Sequence, residues 1–144
     1  MAKQIYYEDV KVGDDLPSFS MDYDPLRIVL QVSGSQDYYP GHHDVEFTRG
    51  DGRPDVFAQN SFLCSLCTRV VTDWCGDEGW LRKFRMEIRR MTLVGDRLTL
   101  KGKVTGKRLE DSQHLVELEV WGENPRDGVS IPCRGEVILP SRSS

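Results

Sequence analysis

Asn60-Ser61-Phe62-Leu63-Cys64-Ser65-Leu66-Cys67-Thr68-Arg69-Val70-Val71-Thr72-Asp73-Trp74 decides the fold. Phe62, Leu63, Leu66, Cys67, Val70, Val71 and Trp74 recur at helical spacing. They form the stripe of a helix packed on a large apolar surface. A second face carries Ser61, Ser65, Thr68 and Thr72, small enough for something to approach closely, and Arg69 and Asp73 are spaced to pair one turn apart. Beyond Gly76 the period changes to two. Phe84, Met86 and Ile88, then Leu98, Leu100 and Val104, then Val116, Leu118 and Val120 alternate with polar residues, as half-buried strands do. Val129 to Leu139 continues the pattern, and Pro132 suggests an edge or a bulge there. Turns are expected at Val94-Gly95-Asp96, near Gly106 and Glu110-Asp111-Ser112, and at Asn124 to Gly128. The order predicts an α+β fold in which a curved antiparallel sheet wraps one long central helix.

Working back toward the start, Ile5 to Pro17 reads as a loop with a short extended segment. Phe19, Met21 and Tyr23 form a short strand. Asp24-Pro25 caps a helix expected to run to about Ser33, with Gly34 closing it. Asp44 caps a further short helix, which Gly50-Asp51-Gly52-Arg53-Pro54 breaks. The Ser141-to-Ser144 tail is expected to fray. Exposed sheet edges and one open helix end predict a dimer.

The 144 residues suit a single domain over 1–144. A net charge of −4 with interspersed signs argues against nucleic acid as a partner. The chain has no membrane-length apolar run, and its first residues lack the apolar middle of a signal peptide, so a cytoplasmic protein is expected. Cys64 and Cys67 form a C-x-x-C inside the helical pattern rather than at a helix start. With Cys75 and Cys133 they read as reduced core residues and not as a metal site.

Between the two helices lies Ser35-Gln36-Asp37-Tyr38-Tyr39-Pro40-Gly41-His42-His43-Asp44. Fully extended, the five residue steps from Asp37 to His42 would hold the side chains roughly 16–18 Å apart. Pro40 and Gly41 allow the chain to turn back and aim both at one point. A carboxylate and an imidazole sharing a water would make a proton-transfer pair. Equally, Asp, Pro, Gly and His are common caps and turn formers, and the spacing alone leaves both readings open. Asp44 reads as a helix cap, adjacent His42, His43 and Asp44 point in too many directions for a metal, and His114 reads as an exposed strand start.

This run resembles the hydratase motif of the MaoC-like (R)-specific enoyl-CoA hydratases and dehydratases. Weaker likenesses flank it: Tyr7-Glu8-Asp9-Val10-Lys11-Val12-Gly13-Asp14, the helix from Ala58, Leu93-Val94-Gly95-Asp96 and Val137-Ile138-Leu139-Pro140. The resemblance implies a hotdog fold and a hydro-lyase. Asp37 and His42 would activate water for reversible addition across a trans-2-enoyl thioester. The implied substrate-binding set is Asn60, Ser61, Thr68, Tyr39 and Gly41. Asn60 stands where the family has the Gly whose N–H holds the thioester oxygen, and Thr68 occupies the hydroxyl position that supports the pair. Tyr39 replaces the motif's Asn and Gly41 an aliphatic residue, changes that reshape the pocket. No cofactor is implied, the CoA thioester being the substrate. The implied partners are an acyl-CoA and a second copy or a related hotdog subunit. A non-catalytic or co-catalytic subunit for a bulky acyl-CoA is the alternative. A thioesterase fits less well, because such enzymes use an acidic residue on the long helix and only Asp73 is offered.

Overall fold

The computed structural model describes residues 4–143, so the expectations for residues 1–3 and for Ser144 lie outside the described residues. After a 3-10 turn at Tyr7–Asp9 come β1 (Asp15–Asp22), α1 (Pro25–Ser35), a second 3-10 turn (Pro40–His42), α2 (Val45–Gly50) and α3 (Asn60–Cys75). Four strands follow: β2 (Trp80–Met86), β3 (Arg97–Glu110), β4 (Gln113–Asn124) and β5 (Gly128–Ile138). They form one antiparallel sheet in the order β1-β3-β4-β5-β2.

The apolar stripe read from the sequence is the face α3 buries. Leu63, Leu66, Cys67, Val70, Val71, Trp74 and Cys75 are all buried. They share one core with Leu98, Leu100, Val104, Leu118, Val120, Ile131, Cys133 and Val137 from the sheet. Arg69 and Asp73 pair at 3.0 Å on the outer face. The four cysteines are free thiols; hydrogen bonding to Cys67, together with burial, pushes the Cys133 thiol up.

Several boundaries differ from the sequence reading for identifiable reasons. β1 starts at Asp15, ahead of the alternating residues, because backbone pairing with Lys103 and Gly102 extends it across a bulge between Leu16 and Phe19. Gly106 lies within β3 at a register shift, and the turn to β4 is made by Asp111 and Ser112, both at positive φ. β2 begins and ends earlier than Phe84 to Ile88, although Glu87 and Arg89 still donate to Pro132 and Ser130 beyond its end. Pro132 is not on an edge strand: β5 lies between β4 and β2. Its carbonyl accepts from Glu87, so its missing donor faces the side where the β2 ladder has already ended at Met86–Cys133. The tail is tied down as far as described, with Arg142 paired to Asp9 at 2.6 Å.

α1 does not stop at Ser33–Gly34. It continues to Ser35, and Gln36 closes it in the left-handed conformation at φ 56°, its N–H bonded to Val32 O. A non-glycine residue there is strained, and the Gln36 side chain is exposed. Replacing Gln36 by Gly should therefore stabilise the protein by about 0.5–1 kcal/mol, read as a raised urea midpoint at constant m-value.

Candidate active site

The extended residues just before α3 organise the site. Val56 and Ala58 pair on one side with the segment before β3, through Val94 N–H to Val56 O at 3.1 Å and Ala58 N–H to Thr92 O at 2.9 Å. Strand geometry then turns both backbone groups of Phe57 the other way. Phe57 N–H donates to Gly41 O at 3.3 Å, and Phe57 O lies 2.9 Å from His42 Nδ1. One residue of strand thus clamps both the Pro40–His42 turn and the ring it carries.

That contact fixes the ring's chemistry. A carbonyl can only accept, so Nδ1 carries the proton and in the neutral ring Nε2 is bare. Nε2 faces Asp37 Oδ2 at 3.6 Å, with His42 largely buried and the Asp37 side chain 48% exposed. Two acceptors have no hydrogen to share between them, and a donor with two hydrogens, such as water, satisfies both. The turn brings these two groups together across the four residues between them.

Asp37 is held from the other side. Its Oδ1 accepts from Tyr39 N–H at 3.2 Å, its N–H donates to Ser35 Oγ at 3.2 Å, and its carbonyl accepts from Gln59 Nε2 at 3.1 Å. Gln59, 1% exposed, also accepts from Ser35 Oγ at 3.0 Å, and its N–H reaches Gln31 Oε1 at 3.4 Å. Gln31 in turn donates to the Tyr23 hydroxyl, whose phenol burial pushes up, so it stays protonated. The network runs from the core to the backbone of Asp37.

The residue before α3 is Gln59, and its side chain makes no capping bond to the helix. The N–H groups of the first turn, beginning at Asn60 and Ser61, have no intrahelical partner. Beside them a cleft of about 380 Å³ opens between α1 and α3, lined by Arg27, Leu30, Gln31, Ser61, Phe62 and Ser65 among others. Larger hollows of about 600 and 550 Å³ lie on the outer face of the sheet, away from the pair, among mixed charges such as Arg85, Glu119 and Arg134.

Of the residues singled out in the sequence, Asp37 and His42 meet, Asn60 and Ser61 start α3 beside them, and the Tyr39 ring lies against Gly41 and His42. Thr68 stands apart: its hydroxyl donates to Cys64 O at 3.0 Å within its own helix. Asp44 caps α2 by accepting from Phe47 N–H at 3.0 Å. His43 Nε2 lies 3.1 Å from Tyr38 O. His114 is half-buried rather than exposed, its ring 4.8 Å from that of Tyr7. Gln31, Ser35, Phe57 and Gln59 were not among the sequence candidates. One signal was available: Gln31 falls between Ile28 and Val32 on the buried face of α1, where a polar residue requires a partner.

A five-stranded antiparallel sheet wrapped on one long helix is the hotdog architecture, here with an Asp–His turn before the helix start. Solved structures carry the same fold. A chain of the ChsH1–ChsH2 complex from Mycobacterium tuberculosis is 26% identical over 90% of this chain and 98% of its own, with a TM-score of 0.79. The (R)-hydratase PhaJ1 of Pseudomonas aeruginosa is 17% identical over 96% and 88%, at 0.82. A MaoC-like dehydratase from Rhodospirillum rubrum is 19% identical over 96% and 98%, at 0.81. The chain shares the hotdog fold of these proteins. No protein-family model and no curated protein matches it by sequence. No helix among the described residues is long and apolar enough to cross a membrane.

Gln59→Leu keeps the volume but strips Ser35 Oγ and the Asp37 carbonyl of a partner, while the backbone bond to Gln31 remains. It should destabilise the fold by about 1–3 kcal/mol, measured by chemical denaturation.

Proposed function

We propose that the chain is a hydro-lyase that adds water reversibly to a trans-2-enoyl-CoA. The observation that carries this reading is the tautomer lock: with Nδ1 committed to Phe57 O at 2.9 Å, the bare Nε2 faces Asp37 Oδ2 across 3.6 Å. A water donating one hydrogen to each presents its lone pair away from both. In hydration, Nε2 takes a proton as the water oxygen bonds to C3, and the C2–C3 electron pair shifts toward the thioester, leaving negative charge on its oxygen. The uncapped N–H groups at Asn60 and Ser61 and the positive end of the α3 dipole stabilise that charge. The proton held on His42 then returns to C2, and the same steps reversed give dehydration. Asp37 orients the water and balances the charged imidazolium. No cofactor is required.

The relatives support the reaction class, since PhaJ1 is an (R)-hydratase and the Rhodospirillum protein a MaoC-like dehydratase. They also support a partner, because the Mycobacterium structure is a complex of two proteins. β2 is the last strand of the sheet and its outer edge is unpaired among the described residues, a place where a second copy or a related hotdog subunit would join. A non-catalytic role for this chain is disfavoured by the intact Asp37–His42 pair. Thioester hydrolysis is disfavoured because Asp73 is exposed near the far end of α3 and paired with Arg69.

Asp37→Asn and His42→Ala should each lower kcat for hydration of crotonyl-CoA or a bulkier enoyl-CoA by about 10²–10⁴-fold, followed as loss of enoyl-thioester absorbance, with unchanged circular dichroism. Both variants turning over at the parental rate overturns the assignment. Light scattering at micromolar protein should return a mass well above the 16.5 kDa of one chain. Adding a candidate hotdog partner and comparing rates separates a homomer from a heteromer.

A further inference from the structure

Gly41 has no backbone reason to be glycine, since it is not among the glycines at positive φ. Its reason is space. A Cβ built there would lie 2.5 Å from Cε1 of Tyr39 and 3.1 Å from the ring of Phe57. The Tyr39 ring therefore occupies the volume a side chain at 41 would need. From that position it meets His42 edge to face, with ring centroids 5.5 Å apart and planes at 74°. Phe57 meets the same imidazole at 4.9 Å and 72°. Tyr39 is itself held by Phe47, at 5.8 Å and 87°, while Arg53 lies over Phe57, 5.3 Å from its centroid. The hydrogen bond to Phe57 O selects the tautomer of His42 but leaves the ring free to swing about that one contact. The two aromatic rings remove that freedom.

We infer that Tyr39 is a positioning residue for His42 and that Gly41 is its obligate complement, the two forming one unit that keeps Nε2 aimed at Asp37. The inference rests on the catalytic reading of His42 given above. It predicts a particular pattern of coupling. Filling position 41 with the ring in place must displace the ring or the turn, whereas filling it after the ring is removed restores a wall beside the imidazole.

The test compares Tyr39→Ala, Tyr39→Phe, Gly41→Val and the double variant Tyr39→Ala/Gly41→Val, each checked for folding by circular dichroism and thermal melting. Activity on crotonyl-CoA is split into kcat and KM. Tyr39→Ala should lose on the order of 10- to 100-fold in kcat, as misplacement of a catalytic group does, with KM changed about twofold or less. Tyr39→Phe, which keeps the ring and loses the hydroxyl, should recover most of that loss. Gly41→Val alone should lose as much, and the double variant should be faster than Gly41→Val rather than additively worse.

A second readout does not depend on turnover. The chain has three histidines, so the imidazole nitrogens can be assigned by long-range proton–nitrogen correlation against His42→Ala. His42 should show a single Nδ1–H tautomer in the parent and in Tyr39→Phe, and averaged nitrogen signals in Tyr39→Ala. Unchanged kcat and unchanged His42 signals in Tyr39→Ala, or additive losses in the double variant, overturn the positioning role. A loss of the His42 tautomer signature in Tyr39→Ala, in a protein whose His42→Ala variant keeps full activity, upholds the positioning and overturns only the catalytic reading.

Discussion

The hydrogen bond between His42 Nδ1 and Phe57 O, 2.9 Å long, is the contact on which the rest of the site depends. Its strength comes from what stands behind it. Phe57 is the middle of an extended segment whose other face is bonded at Val56 and Ala58 to the residues leading into β3. A side-chain hydrogen bond to a mobile loop would select a tautomer only while the loop stayed put. Here the acceptor belongs to backbone already paired on its far side with the segment leading into β3, so the tautomer is selected by a fixed carbonyl. The same residue's N–H holds Gly41 O, so ring and turn cannot move independently.

Gln59 shows how a stabilising option is left unused. The residue before a helix usually caps it with its own side chain, but Gln59 directs its amide to Ser35 and to the Asp37 carbonyl instead. The helix start forgoes a contribution of about 1 kcal/mol and keeps open N–H groups beside the cleft. Burying Gln31, Gln59 and Tyr23 together is tolerable because each finds a partner among the others. An apolar residue in place of Gln31 would leave both the Tyr23 hydroxyl and the Gln59 N–H without these partners.

What the sequence revealed follows the range of the interactions concerned. Periodicity is local, so the stripe from Phe62 to Trp74 and the alternation in β3 to β5 announced helix and sheet. The Asp37–His42 pair was legible for the same reason, because Pro40 opens the turn within the motif itself. Boundaries governed by pairing partners were not: β1 begins at Asp15 because Lys103 is opposite it, and nothing near Asp15 says so. The supporting residues were hidden by distance along the chain, 22 residues from Gln59 to Asp37 and 15 from His42 to Phe57. Glutamine and phenylalanine are also types that carry no chemical signal alone. The mutual fit of Tyr39 and Gly41 could be read only as two departures from a motif until the ring was seen lying where a side chain would be.

The two members of the pair hang from different supports, and this decides how the site can fail. His42 is tied through Phe57 to the segment that leads into β3. Asp37 follows α1, a helix that buries only Ile28, Gln31 and Val32 and leaves Leu26, Val29 and Leu30 at 63%, 59% and 55% exposure. So narrow an apolar stripe holds α1 weakly, and much of its attachment is polar, through Gln31 to Tyr23 and Ser35 to Gln59. Loosening that network would let α1 and Asp37 drift together while His42 stayed in place, widening the 3.6 Å gap without unfolding the core. Phe57 and Gln59 belong to one short run of backbone, one gripping the imidazole and the other the carboxylate's main chain. The separation between the two acceptors is therefore set by two adjacent grips on a single strand, and the precision of the pair comes from that shared support.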